Sequence, residues 1–485
     1  MMEYRLFGPI LAALVLIKIT LAIVIGPIIQ PDSGGYIQTA WVMVNQPGWW
    51  LQLSQSVDDS VFRPIGYPLA IALAKVVGED HWQWLLIFLQ GCASLVATMC
   101  IYRLALACRA PAGLAALIAL AQGTGQAVVL DQCILTDSFN ASLLLIVGCR
   151  LAQGLVERRA PDPRELLASG FLVFLAVTMR EAGAVLHLLL WPTVIAWIAL
   201  DAQGRARKAL LLVCFALPIL GGVQLYKAWN VLRTGQAFLT TGSSQPIFFP
   251  AIYLSLRGVD VLKDDPLLHG MGPLPRSEST VSVVRSSIIP YLSNTYGMSQ
   301  LDIARYGGRQ FLRLWLDYPA EMAKLTLSHI REKQAMLAVM PIESYETAVF
   351  WATWKWPLPR SEEIREAFSQ NWFRPDLALL TVGRGVSRAL SILITLAFVI
   401  GAPVLAIREI WRYGPHPERY DRVAMAFAGI WIAYFGYTFS YASIHLELRY
   451  LMPVEPMASM AGVLVLVSFL RWVHGRRARR GVVKG

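Results

Sequence analysis

Residues 82–102 read WQWLLIFLQGCASLVATMCIY and contain no charged side chain. An apolar run of about 20 residues is long enough, as a helix, to cross the hydrocarbon core of a bilayer. The same pattern recurs along the chain, which is 56% hydrophobic and only 15% charged, whereas an ordinary soluble domain is about 25% charged. The composition therefore predicts an all-α, polytopic membrane protein.

About ten segments are predicted to span the membrane. Six are uncharged and of full length: 82–102, 112–130, 182–200, 209–226, 389–407 and 423–444. The other four are short or carry a charged residue: 6–29 with Lys18, 136–155 with Arg150, 166–179, and 451–470 with Glu455. The alternative for 6–29 is a cleavable signal peptide. Its apolar core is longer than usual and no small-x-small site precedes Asp32, so we expect an uncleaved helix.

The basic residues predict the orientation. With the N-terminus in the cytoplasm, ten helices place alternate connections on one side, and those connections are rich in arginine, as the positive-inside rule requires. The residues concerned are Arg103, Arg109, Arg150, Arg158, Arg159, Arg164, Arg205, Arg207, Lys208, Arg408, Arg412, Arg419 and Arg422. The net charge of +11 is then mainly this bias, and no basic soluble domain indicates nucleic-acid binding. We predict cytoplasmic N- and C-termini and a bacterial inner (plasma) membrane. The excess of arginine over lysine is typical of a GC-rich bacterial genome.

Two long segments lie between the spans, at 30–81 and 227–376. The first contains PIGYPLAIALAKVV, which is too short to span, and residues 301–340 in the second mix charge with apolar side chains at helical spacing. Both patterns are typical of amphipathic helices at the membrane surface. The chain is therefore divided into an N-terminal transmembrane catalytic module (1–226), an extracytoplasmic loop with interfacial helices (227–376), and C-terminal transmembrane helices with a basic cytoplasmic tail (377–485).

Ionisable residues collect at the outer ends of the predicted helices. Four separate connections contribute them: Asp32; Asp131 and Asp137; Arg180 and Glu181; His445, Glu447 and Arg449. Ionisable groups at membrane depth are costly and point to function. Each also has a structural alternative: a helix N-cap for Asp32, Ser33 or Asp137, a local turn for Arg180–Glu181, and a solvated loop for His445 and Glu447. Their convergence on one side is what favours a functional site.

Four short motifs carry a resemblance to a known family: PDSGGYIQTA (31–40), FRPIGYPLAIAL (62–73), ILTDSFNASLLL (134–145) and LELRYLMPVEP (446–456). In their order along the chain and in the side of the membrane on which they are predicted to lie, they resemble motifs of the polyprenyl-phosphate-sugar-dependent membrane glycosyltransferases of the GT-C fold. That family includes protein O-mannosyltransferases and the transferases that add aminoarabinose to lipid A. The resemblance covers the helix layout over most of residues 1–470. The chain departs from the family in loop 227–376 and at Pro64–Pro68, where relatives often have paired prolines.

This resemblance implies a polyprenyl-phosphate-linked sugar as donor, a lipid, glycan or protein hydroxyl as acceptor, and inverting single displacement. It assigns Asp32 as the base, with Asp137 positioning the acceptor or, as in some relatives, helping to bind a metal. Arg63, Arg180 and Arg449 are the candidates for binding the phosphate, because guanidinium binds phosphate bidentately. Substrate contacts are assigned to Tyr36, Tyr67, Glu181, His445, Glu447 and Tyr450. No cofactor is certain and a divalent metal is possible; there is no P-loop for a nucleotide.

Two hypotheses from other classes stay open. A transporter or flippase of a lipid-linked glycan would use the acids to bind substrate or a coupling ion. Transporters usually place polar residues near the bilayer midplane, whereas here, apart from Lys18, they crowd the outer ends. A scaffold subunit would tolerate substitution of each acid individually.

Overall fold

The computed structural model describes residues 7–30, 32–52, 63–180, 187–199, 204–242, 245–272, 274–275, 278–332, 378–414 and 416–482. The first helices are α1 Phe7–Ile25, α2 Ser33–Asn45, α3 Trp49–Gln52, α4 Gly66–Gly78, α5 Trp82–Ala107, α6 Ala112–Gly123, α7 Gln126–Leu130, α8 Asp137–Val156, α9 Pro163–Met179, α10 Trp191–Ala199 and α11 Arg205–Thr234. They are followed by α12 Phe249–Leu256, α13 Thr280–Val283, α14 Ile289–Tyr296, α15 Gln300–Asp317, α16 Pro319–Glu332, α17 Ala378–Tyr413, α18 Arg422–Ala442 and α19 Glu455–Val482. Short 3₁₀ turns lie at Glu79–His81, His187–Leu190, Pro246–Phe248, Pro417–Arg419 and Leu448–Leu451, with a π turn at Val284–Ile288.

Within the described residues, six helical segments are long and apolar enough to cross a membrane. They are Gly66–Ala107, Asp137–Val156, Arg205–Thr234, Ala389–Tyr413, Arg422–Ala442 and Glu455–Trp472. Each of the ten predicted segments overlaps a helix, but α1, α6 and α10 are short apolar helices. An all-α membrane protein is therefore supported, and the number ten stays a prediction.

Helix α11 shows why these segments suit a bilayer. Phe215 and Ile219 are fully buried against the bundle, whereas Leu217, Leu220 and Leu225 on the other faces are more than half exposed. A helix that is apolar all round is stable only inside a large core or in lipid. The exposed leucines therefore indicate a lipid-facing surface.

The bundle packs closely enough to fix the helix ends. A Cβ placed on Gly170 of α9 would lie 2.3 Å from the carbonyl oxygen of Phe215 on α11, so only glycine allows this approach. Small residues bring helix backbones together in the same way in other membrane bundles. The contact holds α9, and with it Arg180 just beyond its last residue, at one position in the bundle.

Helices α12 to α16 form a separate layer with two small apolar cores of their own. Helix α15 begins with a complete capping box between Ser299 and Asp302. It lies against the bundle through Trp315, whose ring centroid is 5.5 Å from that of Phe439 on α18. The predicted helices within 301–332 are confirmed; residues 333–340 lie outside the described ranges, and the surface location stays a prediction.

Candidate active site

Two connections that carry acids are joined side by side. The residues after α1 pair with those before α8 in an isolated parallel β-bridge between Ile28 and Cys133. Ile28 N donates to the Gln132 carbonyl at 2.8 Å, and Ile134 N donates to the Ile28 carbonyl at 2.9 Å. Ser33 Oγ adds a third bond, to the Ile134 carbonyl at 2.8 Å. The bridge places Asp32, at the start of α2, next to Asp137, at the start of α8.

Asp32 does not cap α2 with its side chain. It occupies the N-cap position, but its carboxylate makes no capping hydrogen bond. Its Oδ1 instead lies 3.2 Å from Arg63 Nη2, and half of the side chain is exposed. Ser33 is also not a cap, because its hydroxyl is bonded to Gln30 N and to the Ile134 carbonyl. The carboxylate of Asp32 is therefore available to a ligand on its exposed side.

Arg63 reaches Asp32 because two glycines leave room. A Cβ on Gly35 would lie 3.1 Å from Arg63 Nε, so the arginine lies directly against α2. A Cβ on Gly66 would clash with the backbone of Thr178 at 2.8 Å, which packs this loop onto the end of α9. Arg63 Nη1 donates to Tyr36 Oη at 2.9 Å, and its guanidinium lies 4.3 Å above the Tyr36 ring.

Asp137 is the buried acid of the pair. It is the first residue of α8, where Thr136 occupies the N-cap position, and its side chain is 5% exposed. Arg180 Nη1 donates to Asp137 Oδ1 at 2.6 Å, and the guanidinium lies 4.2 Å from the centroid of the Tyr450 ring. The local-turn alternative does not account for Arg180, because its charge is bound to another helix.

Arg449 spans the two acids. Its Nη2 lies 3.8 Å from Asp32 Oδ2 and its Nη1 lies 3.9 Å from Asp137 Oδ2. Both distances allow ion pairing but are too long for hydrogen bonds. The three arginines and two acids, Asp32, Asp137, Arg63, Arg180 and Arg449, are called the acid–arginine cluster below.

A series of polar contacts runs from Arg449 through Glu447 and His445 to Tyr253. Its Nε lies 2.5 Å from Glu447 Oε2, an ion pair without hydrogen-bond alignment. Glu447 Oε1 lies 3.3 Å from His445 Nε2, and His445 Nδ1 lies 3.2 Å from Tyr253 Oη on α12. Burial alone would raise the pKa of Glu447, but the bond to His445 and the charge of Arg449 outweigh it and hold the pKa at about 2. Burial also lowers the pKa of Arg449, but Asp137 and Glu447 raise it overall.

A second polar network lies beneath the cluster. Lys18 Nζ on α1 donates to Asp131 Oδ2 at 2.5 Å and to Ser94 Oγ at 2.8 Å. Ser138 Oγ donates to the other oxygen of Asp131 at 2.5 Å. The sequence pattern puts Asp131 with the outer acids and Lys18 inside an apolar run, and does not by itself pair them. Lys18 lies within the run 6–29, and Asp131 directly follows the run 112–130. Two opposite charges so placed indicate an ion pair, because a buried charge requires a partner.

The aromatic residues predicted to contact substrate lie at different depths. Tyr450 is partly exposed beside Arg180, whereas Tyr36 is 6% exposed and Tyr67 is 0% exposed. Tyr67 Oη donates to Gln90 Oε1 at 2.7 Å, and its ring packs edge-on against Tyr36 at 5.2 Å. Tyr67 thus packs against Tyr36, and the Tyr36 hydroxyl and ring in turn contact Arg63.

Ten of the eleven predicted site residues lie in or against the cluster, and Glu181 lies outside the described residues. Within the described part of the chain, no group of three or more His, Cys, Asp or Glu side chains is arranged to hold a metal. The acids of the cluster face arginines instead. Need for a metal stays open.

No protein-family model matches the chain, and no curated protein matches it. Two solved structures are similar, both of the Archaeoglobus fulgidus oligosaccharyltransferase: one in the apo form and one in complex with an inhibitory peptide and a dolichol-phosphate. Their identities to this chain are 11% and 10%, each with a TM-score of 0.46. Each match covers 99% of this chain and 52% of the other, so this chain spans about half the length of those proteins. A similarity of this degree leaves the family of the chain open.

Proposed function

We propose that the chain is an integral membrane glycosyltransferase of the GT-C type. It transfers a sugar from a polyprenyl-phosphate donor to an acceptor hydroxyl on the extracytoplasmic face. The observation that carries the proposal is the half-exposed carboxylate of Asp32 beside the guanidinium groups of Arg63 and Arg449. The motif resemblance supports the class of donor.

The arginines suit a departing phosphate. Guanidinium binds phosphate bidentately and keeps its charge. The Nη atoms of Arg449 are not hydrogen-bonded to either acid at 3.8 and 3.9 Å, so they are able to turn to a phosphate. Arg180 is held by Asp137 and by the Tyr450 ring and adds fixed positive charge. Positive groups placed in advance where charge develops stabilise the transition state.

Asp32 is suited to take the proton. Its side chain is half exposed, so the hydroxyl of an acceptor is able to reach its oxygens from that side. Asp32 then accepts the acceptor's hydroxyl proton while the oxygen attacks the anomeric carbon. The bond to the phosphate oxygen breaks, and its electron pair stays on the phosphate beside the arginines.

The experiment uses the full-length protein in nanodiscs with defined polyprenyl-phosphate sugars, with and without EDTA and added Mg²⁺ or Mn²⁺. Release of polyprenyl phosphate, together with an inverted anomeric configuration in the product, supports the proposal. Retained configuration contradicts single displacement. No release with any donor and acceptor pair, under conditions in which the donor binds, contradicts the enzyme class.

One observation favours the transporter hypothesis, the buried Lys18–Asp131 pair, because charges within the membrane often line a transport path. Both partners are bonded to serines on neighbouring helices, which instead indicates a fixed structural pair. Flux of a lipid-linked glycan across proteoliposomes, measured without any sugar transfer, would establish transport and displace the enzyme proposal.

A further inference from the structure

A second polar site lies at the opposite end of the helices from the acid–arginine cluster. A cavity of about 240 Å³ is lined by Cys100, Arg103, Arg150, Gln153, Glu157 and Arg159. It lies between the far ends of α5 and α8. Because α8 rises about 1.5 Å per residue from Asp137, the cavity faces the other side of the membrane. It has no part in the function proposed above.

The cavity carries an excess of positive charge. Three arginines and Glu157 line it, and Glu165 is ion-paired with two of those arginines. Glu165 is bound on one side by Arg159 at 2.5 Å and on the other by Arg150 at 3.3 Å, and its side chain is 8% exposed. Glu157 also pairs with Arg159, at 3.7 Å. Among the described residues, three guanidinium groups line the cavity and two carboxylates are ion-paired with them. An anion is the ligand that this balance of charge favours.

Arg159 is held in place by its surroundings. The backbone carbonyl of Arg159 accepts from Trp197 Nε1 at 2.7 Å, and its guanidinium lies 5.6 Å from the Trp197 ring. Gln153 Nε2 donates to Glu157 at 2.7 Å. These contacts fix the positions of Arg159 and Glu157 in one wall of the cavity.

The position of the cavity indicates a lipid. Arg103 and Arg150 project from α5 and α8, both within segments apolar enough to span the membrane, and both side chains are exposed. A soluble phosphate compound would gain nothing from a site beside lipid chains, whereas a phospholipid places its headgroup there. Basic pockets between membrane helices on the cytoplasmic side bind anionic headgroups. We propose that this cavity binds the headgroup of an anionic phospholipid in the leaflet opposite the acid–arginine cluster.

The test titrates delipidated full-length protein with dioctanoyl phosphatidylglycerol, with dioctanoyl phosphatidylcholine, and with inorganic phosphate, read by native mass spectrometry and calorimetry. Each interfacial arginine contributes about 1 kcal/mol toward an anionic lipid, so Arg103→Gln with Arg150→Gln should weaken phosphatidylglycerol binding roughly thirtyfold. Arg207→Gln, an exposed arginine on the same face, is the matched control and should leave binding unchanged.

A variant that should bind lipid more tightly distinguishes an effect on the binding site from a loss of folding. Glu157→Gln removes a negative charge from the wall and should tighten phosphatidylglycerol binding about fivefold, which loss of structure cannot do. Equal binding of phosphatidylcholine and phosphatidylglycerol would overturn the proposal. Binding of inorganic phosphate as tight as that of phosphatidylglycerol would assign the cavity to a soluble compound instead. Unchanged binding by the double arginine variant would exclude this cavity.

Discussion

The carboxylate of Asp32 lies 3.2 Å from the guanidinium of Arg63 and makes no bond to the helix that begins beside it. An acid in the N-cap position ordinarily stabilises its helix through the backbone N–H groups. Asp32 occupies this position, but its carboxylate makes no hydrogen bond to those N–H groups. The side chain is instead half exposed within a group of arginines, which is the arrangement expected of a residue that acts on a ligand.

Replacing Asp32 with asparagine separates a structural role of this side chain from a role as catalytic base. No capping bond is lost and the ion pair with Arg63 is half exposed, so Asp32→Asn should lower the melting temperature only slightly. If Asp32 is the base, turnover should fall ~10²–10⁴-fold, about 3–5 kcal/mol of barrier, while donor still binds. Turnover and donor affinity are measured on the same purified protein, with Asp260→Asn, an exposed surface acid, as the control. Turnover within a few-fold of the parent would remove Asp32 from the mechanism.

Arg449→Lys keeps a charge between the two acids but loses the planar fork. Hydrogen bonds to charged groups contribute roughly 1.5–3 kcal/mol, so donor affinity should fall about 10- to 100-fold. Donor binding is measured by displacement of a fluorescent polyprenyl phosphate. Arg412→Lys, an exposed arginine at the opposite end of the bundle, should bind donor like the parent. If Arg449→Lys does so too, Arg449 is not a phosphate ligand.

The contribution of Glu447 to the free energy of unfolding should decrease in acid. Its folded pKa of about 2 lies below the ordinary 4.5, so folding favours the ionised form. The contribution is therefore complete above about pH 4.5 and is lost as pH falls toward 2. Glu447→Gln should melt below the parent at pH 7, and this gap should narrow between pH 4.5 and pH 2. Glu332→Gln, whose parent residue is 62% exposed, is the control. A gap that widens in acid would contradict the assignment.

The buried Lys18–Asp131 pair predicts non-additive stability. Lys18→Met leaves a buried carboxylate uncompensated, which typically costs about 3–5 kcal/mol. Adding Asp131→Asn should recover part of that loss, because the neutral amide needs no cation. The exposed pair of Lys324 and Glu321 supplies the comparison, and Lys324→Met should cost less than about 1 kcal/mol. Thermal or denaturant unfolding in detergent gives the values; strictly additive single and double variants would mean that the two residues do not interact.

The orientation predicts which ends label from outside the cell. Ser279 lies on the side of loop 227–376, and Gly204 precedes α11 on the arginine-rich side; both are exposed. A cysteine introduced at Ser279 should react with an impermeant maleimide in intact cells, whereas one at Gly204 should react only after permeabilisation. The chain without an added cysteine sets the background. The reverse pattern would place the acid–arginine cluster in the cytoplasm.

Much of the arrangement was available from the sequence. A helix that crosses the membrane reverses the side of the next connection, and the predicted order of spans puts Asp32, Asp137, Arg180 and Arg449 on one face. The structure brings these four side chains into one cluster. The apolar runs also predicted a helix at each of the ten segments. Hydropathy works here because a bilayer has one fixed thickness and tolerates no unpaired backbone.

Only the tertiary structure decided which of these residues meet. Hydropathy sets the depth of a residue but not the lateral order of the helices, since lipid is as apolar as leucine and every helix surface suits it. Close contacts settle that order: Gly170 against Phe215, Gly66 against Thr178, and the bridge from Ile28 to Cys133. They bring Arg180 to Asp137, Arg63 to Asp32 and Lys18 to Asp131. Each such pair joins distant parts of the chain, and its partners become neighbours only when the helices have packed.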